Sequence, residues 1–178
     1  DINATLSPDG LSLYFVSNRP GTFGNNDIWV SRRSSVDSPW ETPANLGPVI
    51  NSASDDGGAS LSYDGHLLFF NSNRPGGQGT ADIYVSRRTD PNDDFGWGPP
   101  VNLGPNVNTA AGERGPEYVA GAGEGGSEGG PATLYFNRGN IAMQGADLYA
   151  APVTRNGEPL GPAELLAELS APNANDAG

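Results

Sequence analysis

Three aspartates, Asp27, Asp82 and Asp147, each stand just before a stretch of mostly apolar residues, and three arginines, Arg19, Arg74 and Arg138, precede them by eight or nine positions. Carboxylates recurring in this way have two readings. They can be metal ligands, or they can accept backbone N–H bonds from the preceding loop and pair with the arginines. One such aspartate per repeat is the pattern of a structural device, which favours the second. The arginines have two readings as well. A cationic ring on one face of the molecule would bind an anionic ligand, whereas pairing with Asp27, Asp82 and Asp147 would hold the fold together. The pairing is the stronger expectation, and Arg19, Arg74 and Arg138 remain the candidate ligand-binding set.

Other chemistry is thinner. Asp90-Pro91-Asn92-Asp93-Asp94-Phe95-Gly96 offers oxygens at alternating positions, as calcium loops do. Its glycine comes one place late and no glutamate closes it, so a solvated turn is expected; Asp55-Asp56 with Asn51 is a similar weak case. No metal site and no cofactor are assigned, calcium being the single ion considered. His66 is the only histidine and cysteine is absent, so a thiol–imidazole pair is excluded. A Ser–His–Asp triad would have to recruit His66 from inside a repeated motif. Nothing marks two of the 21 acids as a glycosidase pair. Trp29, Tyr84 and Tyr149 share one repeat position and read as packing aromatics rather than a sugar platform. No catalytic residue is assigned.

These residues belong to a repeat. Ser7-Pro8-Asp9-Gly10, Leu13-Tyr14-Phe15, Ser17-Asn18-Arg19-Pro20-Gly21 and Asp27-Ile28-Trp29-Val30-Ser31-Arg32-Arg33 return as Ser62-Tyr63-Asp64-Gly65, Leu68-Phe69-Phe70, Ser72-Asn73-Arg74-Pro75-Gly76 and Asp82-Ile83-Tyr84-Val85-Ser86-Arg87-Arg88. Residues 6–33 and 61–88 are identical at 18 of 28 positions without a gap. Repeats of this length are single supersecondary units that bury their apolar faces by stacking. Each unit reads as four short strands. Asp9-Gly10 and Asp64-Gly65 make tight turns, with Asp capping the turn and Gly taking the positive-φ position. Asn45-Leu46-Gly47 and Asn102-Leu103-Gly104 mark outer strands. Their offset of 57, against 55 earlier, places a two-residue insertion in the second unit's outer loop.

The third unit is degenerate. Residues 120–131 are Gly-, Ser- and Glu-rich and replace the Asp-Gly turn with a loop expected to be mobile. Asn137-Arg138-Gly139 shortens the arginine loop, and Asp147-Leu148-Tyr149 matches Asp82-Ile83-Tyr84. Residues 162–169 fit an outer strand, with helix as the competing reading. The segments are about 1–50, 51–107 and 108–169, with a tail at 170–178 that resembles the links between units. Reading the tail into Asp1 makes a plausible repeat junction.

Composition agrees with many short strands. The 178 residues include 26 Gly and 16 Pro and are 35% hydrophobic. The formal net charge is −12 and every cationic residue is arginine. Such an acidic chain is a poor partner for nucleic acid, which requires a basic footprint, or for anionic lipid. No apolar run is long enough to span a membrane.

The Ser-Pro-Asp-Gly, Leu-Tyr-Phe, Ser-Asn-Arg-Pro-Gly and Asp-Ile-Tyr-Val-Ser motifs resemble the TolB-like β-propeller repeat, strongly over 1–109 and loosely over 110–170. The resemblance implies an all-β fold with four antiparallel strands per blade. It also implies an extracytoplasmic setting, periplasmic or secreted. Three blades are too few to close a propeller, so a homodimer completing a six-bladed ring is expected, with a fragment of a longer single-chain propeller as the alternative. The function expected is a non-catalytic binding or assembly module, with protein or glycan as ligand. The rival is the scaffold of an enzyme acting on polysaccharide or peptide.

Overall fold

The computed structural model describes residues 1–121, 130–140 and 145–169. The regularity of the sequence becomes three meanders. The first holds β1 (Ile2–Leu6), β2 (Ser12–Ser17), β3 (Asp27–Arg32) and β4 (Ala44–Asn45). The second holds β5 (Asp56–Leu61), β6 (Leu67–Ser72), β7 (Asp82–Arg87) and β8 (Val101–Asn102). The third holds β9 (Glu113–Val119), β10 (Ala132–Asn140), β11 (Gly145–Val153) and β12 (Glu164–Leu165). Each meander is a four-stranded antiparallel sheet with its strands in chain order. Of the two readings for 162–169, the strand is the one formed. Glu164 and Leu165 pair with Ala150 and Tyr149, which gives this segment's backbone ladder partners. The centre of the Gly-rich loop, 122–129, and the tail 170–178 lie outside the described residues.

The sheets pack face to face, and side-chain alternation sends each strand's two faces to different neighbours. Between the first and second sheets lie Tyr14, Ile28, Val30 and Leu46 against Leu61, Leu68, Phe70, Tyr84 and Trp97. Between the second and third lie Phe69, Ile83, Val85 and Leu103 against Leu134, Phe136, Ala151 and Val153. The core is therefore two layers between three blades.

The first strands touch one another, β1 with β5 and β5 with β9, so they form the inner edge. Each carries a bulge at one repeat position. Asn3, Gly58 and Gly115 have φ of 52°, 64° and 59°, and the register slips beside each. A Cβ on Gly58 would come within 2.4 Å of Asn71 Oδ1. The bulges bend the inner strands and re-aim their side chains.

Candidate functional site

Arg19, Arg74 and Arg138 occupy one position in their sheets, but their carboxylate partners are not Asp27, Asp82 and Asp147. Each pairs with the acid at the start of its own inner strand: Arg19 with Asp1 at 2.9 Å, Arg74 with Asp56 at 2.7 Å and Arg138 with Glu113 at 2.9 Å. Each guanidinium also lies over a cross-strand aromatic pair: Phe15 and Trp29, Phe70 and Tyr84, or Phe136 and Tyr149. The remaining donors are used locally. Arg74 Nη2 donates to the Ile50 carbonyl at 2.6 Å, and Arg138 Nη2 to that of Val107 at 2.8 Å. Asp56 also accepts Ser52 N and Oγ, and Glu113 accepts Thr109 N and Oγ1. Each arginine thus ties the inner strand to the aromatic face of its own blade.

Asp27 and Asp82 do a different job. Asp27 accepts the backbone N–H groups of Phe23 and Gly24 and an amide hydrogen of Asn45; Asp82 accepts those of Gln78 and Gly79 and an amide hydrogen of Asn102. The reason for the divergence is geometric. The carboxylate at the head of the third strand points back into its own loop, where orphan N–H groups converge. Asp147 is half-buried at the matching position, and the loop before it, 141–144, lies outside the described residues. Asp9 and Asp64 close the turns by accepting the Ser7 and Ser62 hydroxyls and the amides of Leu11 and His66. Gly10 and Gly65 sit beside them at φ 72° and 73°. The Ser7 hydroxyl and the Leu11 amide hold the Asp9 carboxyl below its ordinary range. His66 Nδ1 lies 3.0 Å from the Arg88 carbonyl, a packing contact at the start of β6.

The segment 90–96 does not gather its oxygens round one point. Asp90 and Asp93 cap the amides of Asn92 and Phe95. Asp94 turns inward instead and is buried. It accepts the Tyr14 hydroxyl at 2.6 Å, the Ser12 hydroxyl at 2.7 Å, Arg32 Nε, and Arg88 Nη1 at 3.1 Å. Burial alone would raise its pKa. The two hydroxyls and two guanidiniums outweigh that and hold the carboxyl below its usual range. Burial and the Asp94 charge push the Tyr14 phenol well above its ordinary value. Among the described residues, no group of three or more His, Asp or Glu side chains is placed to hold a metal ion.

Sequence reading alone overlooked two features. Asp94 lies in the outer loop that carries the insertion, where spacing suggested only surface. Asn51 and Asn108, in the links between units, each bond the N–H and C=O of one third-strand residue, Ile28 or Ile83, so a side chain replaces a backbone partner. Their identical offset from Asn45 and Asn102 was the available signal.

The inner strands line an open cavity of about 930 Å³. Its walls include Asn3, Asn26, Asn71, Arg114, Glu117 and Asn137, a surface of amides and charges with small residues between them.

No protein-family model and no curated protein match the chain. Among solved structures it is similar to an α-L-arabinanase of Penicillium chrysogenum, determined in complex with arabinobiose. The TM-score is 0.63 and the identity 13%, over 95% of this chain and 51% of that one. The chain therefore spans about half the length of the structure it matches. At this identity the likeness concerns fold alone, and that fold is a β-propeller. The three sheets are propeller-like blades.

Proposed function

We propose that this chain is a non-catalytic half-ring of a TolB-like propeller that completes its ring with a second copy, as an extracytoplasmic binding and assembly module. One observation carries the reading. Tyr135 and Leu148, on the outer face of the third blade, are each 37% exposed. Their counterparts in the first two blades, Tyr14 and Phe69 or Ile28 and Ile83, are fully buried between blades. A face built to be covered is thus left open. On the first blade's outer face, Trp40 and Leu6 are exposed where Trp97 and Leu61 are buried. The two open faces are complementary by construction, since the chain already joins such faces twice. Sedimentation equilibrium on the 178-residue chain is the test: a species of twice 18.4 kDa is expected, and a strict monomer at high micromolar concentration overturns the reading.

The inner cavity favours a second reading, in which these blades carry a carbohydrate site. Its amide-rich lining is suited to hydroxyl ligands, and the arabinanase shares the fold. Calorimetric titration with arabinobiose, followed by a panel of other oligosaccharides, tests it; absence of heat throughout removes it.

A further inference from the structure

We infer that Asp37 of one copy closes the ring by bonding Tyr135 and Thr133 of a second copy, reproducing at the interface between chains the latch that Asp94 forms within one. The inference rests on the proposed pairing of two copies and specifies the contact that makes it.

The carboxylate side, which accepts, is already assembled in the first blade. Asp37 precedes Trp40 by three positions, as Asp94 precedes Trp97. Arg33 lies 4.4 Å over the Trp40 ring, and Arg88 lies 4.4 Å over that of Trp97. Arg33 Nε donates to the Gly10 carbonyl at 2.8 Å, and Arg88 Nε to that of Gly65 at 2.7 Å. Arg33 Nη1 reaches the Val36 carbonyl and Arg88 Nη1 that of Asp93, the residues just before the two aspartates. Ser31 and Ser86 anchor the two loops alike, each donating to a carbonyl at 2.6 Å. One difference separates the two units. Asp94, Arg88 and Trp97 are buried by the first blade, whereas Asp37 and Trp40 face solvent.

The hydroxyl side, which donates, stands at the other end of the chain. Asp94 is bound by hydroxyls at Ser12 and Tyr14. The second blade has Leu67 and Phe69 at these positions and buries them against the third blade without a polar latch. There Gly157 fills the space, and a Cβ on it would come within 2.9 Å of Phe69. The third blade restores both hydroxyls. Thr133 and Tyr135 pair with Pro152 and Ala150 as Ser12 and Tyr14 pair with Arg32 and Val30. They point away from the second blade, because Ala132, Leu134 and Phe136 between them fill its interface. Hydroxyls therefore recur only on the blade face that would meet Asp37. Pro152 stands where Arg32 adds a guanidinium to Asp94, so the latch between chains has three donors rather than four: Tyr135 and Thr133 of the second copy, and Arg33 of the copy that carries Asp37.

The test is the dimer dissociation constant of the whole chain with Asp37→Asn, Tyr135→Phe and the pair combined, measured by sedimentation. A ring closed by two copies contains the contact twice. Losing a charge-assisted bond of about ten-fold at each contact weakens the dimer by about a hundred-fold. Each single variant should do this, and the double variant should be little worse than either single, because both remove one bond. Thermal unfolding of the monomeric form should be unchanged, since Asp37 is exposed. A dimer whose affinity all three variants leave intact overturns the latch and leaves pairing standing. A wild-type monomer overturns the pairing itself. Additive losses in the double variant also overturn the latch, since the two residues would then act separately.

Discussion

The Tyr14 hydroxyl donates to Asp94 Oδ1 at 2.6 Å, joining β2 of the first blade to a loop of the second blade across 80 residues of chain. Arg88 Nη1 donates to the same oxygen at 3.1 Å, so one buried carboxylate neutralises the cation that stacks on Trp97. The contact between two blades is therefore ionic at its outer end and apolar within.

Asp94→Asn should cost about 3 kcal/mol in urea unfolding, because it leaves the buried Arg88 without its counter-charge. Tyr14→Phe should cost about 1 kcal/mol, since Phe69 already fills the equivalent place in the next blade. A ranking in which the tyrosine matters more would overturn the ionic account.

Acid should dissolve this latch. The Asp94 carboxyl titrates below its unfolded value. Its stabilisation is present above the ordinary carboxylate range, near pH 4, and is lost as pH falls through the lower folded value. Tyr14 has the opposite sign: its folded pKa is raised, so its contribution is complete below about pH 10 and declines as pH rises further. The stability difference between wild type and Asp94→Asn, followed by denaturant midpoint, should shrink as pH falls below about 4.

The three arginine–acid pairs should rank by depth. Asp56 and Glu113 side chains are fully buried, whereas that of Asp1 is 59% exposed. Asp56→Asn and Glu113→Gln should each destabilise by about 3 kcal/mol. Asp1→Asn should be close to neutral, because solvent screens an exposed pair. Equal effects at all three would show that position in the repeat, not burial, sets the energy.

Gly58→Ala and Gly47→Ala separate two costs. Both glycines have positive φ, at 64° and 88°. Nothing lies within 4 Å of a Cβ on Gly47, while one on Gly58 strikes Asn71 and approaches Gly115. Gly47→Ala should cost about 1 kcal/mol, the backbone term alone. Gly58→Ala should cost more and should broaden the amide signals of β5 and β9 in NMR spectra, because the inner edge must shift.

The four-stranded unit was legible in the sequence, and so were its tight turns. Asp9-Gly10 and Asp64-Gly65 are local devices: side chain, turn amide and positive φ all lie within a few residues, so spacing alone identifies them. Leu13-Tyr14-Phe15 and its copies declare their alternation for the same reason. The strand at Glu164–Leu165 was less clear, because Pro-Ala-Glu-Leu-Leu fits a helix and only the ladder to β11 decides it.

What the chain alone determined is therefore everything that depends on neighbours in sequence: the repeat, its strands, its turns and the all-β class. Tertiary structure decided the partners. Arg74 could have met Asp82, eight residues away, yet it meets Asp56, because both sit at the inner end of the blade while Asp82 faces its own loop. Asp94 looked like one more acid in a surface loop. Folding carries that loop over the first blade, where two hydroxyls and a buried arginine wait for a negative charge. Charge and spacing are written in the chain, but which charges meet depends on how the sheets stack, and stacking is set by apolar faces that no local pattern pairs.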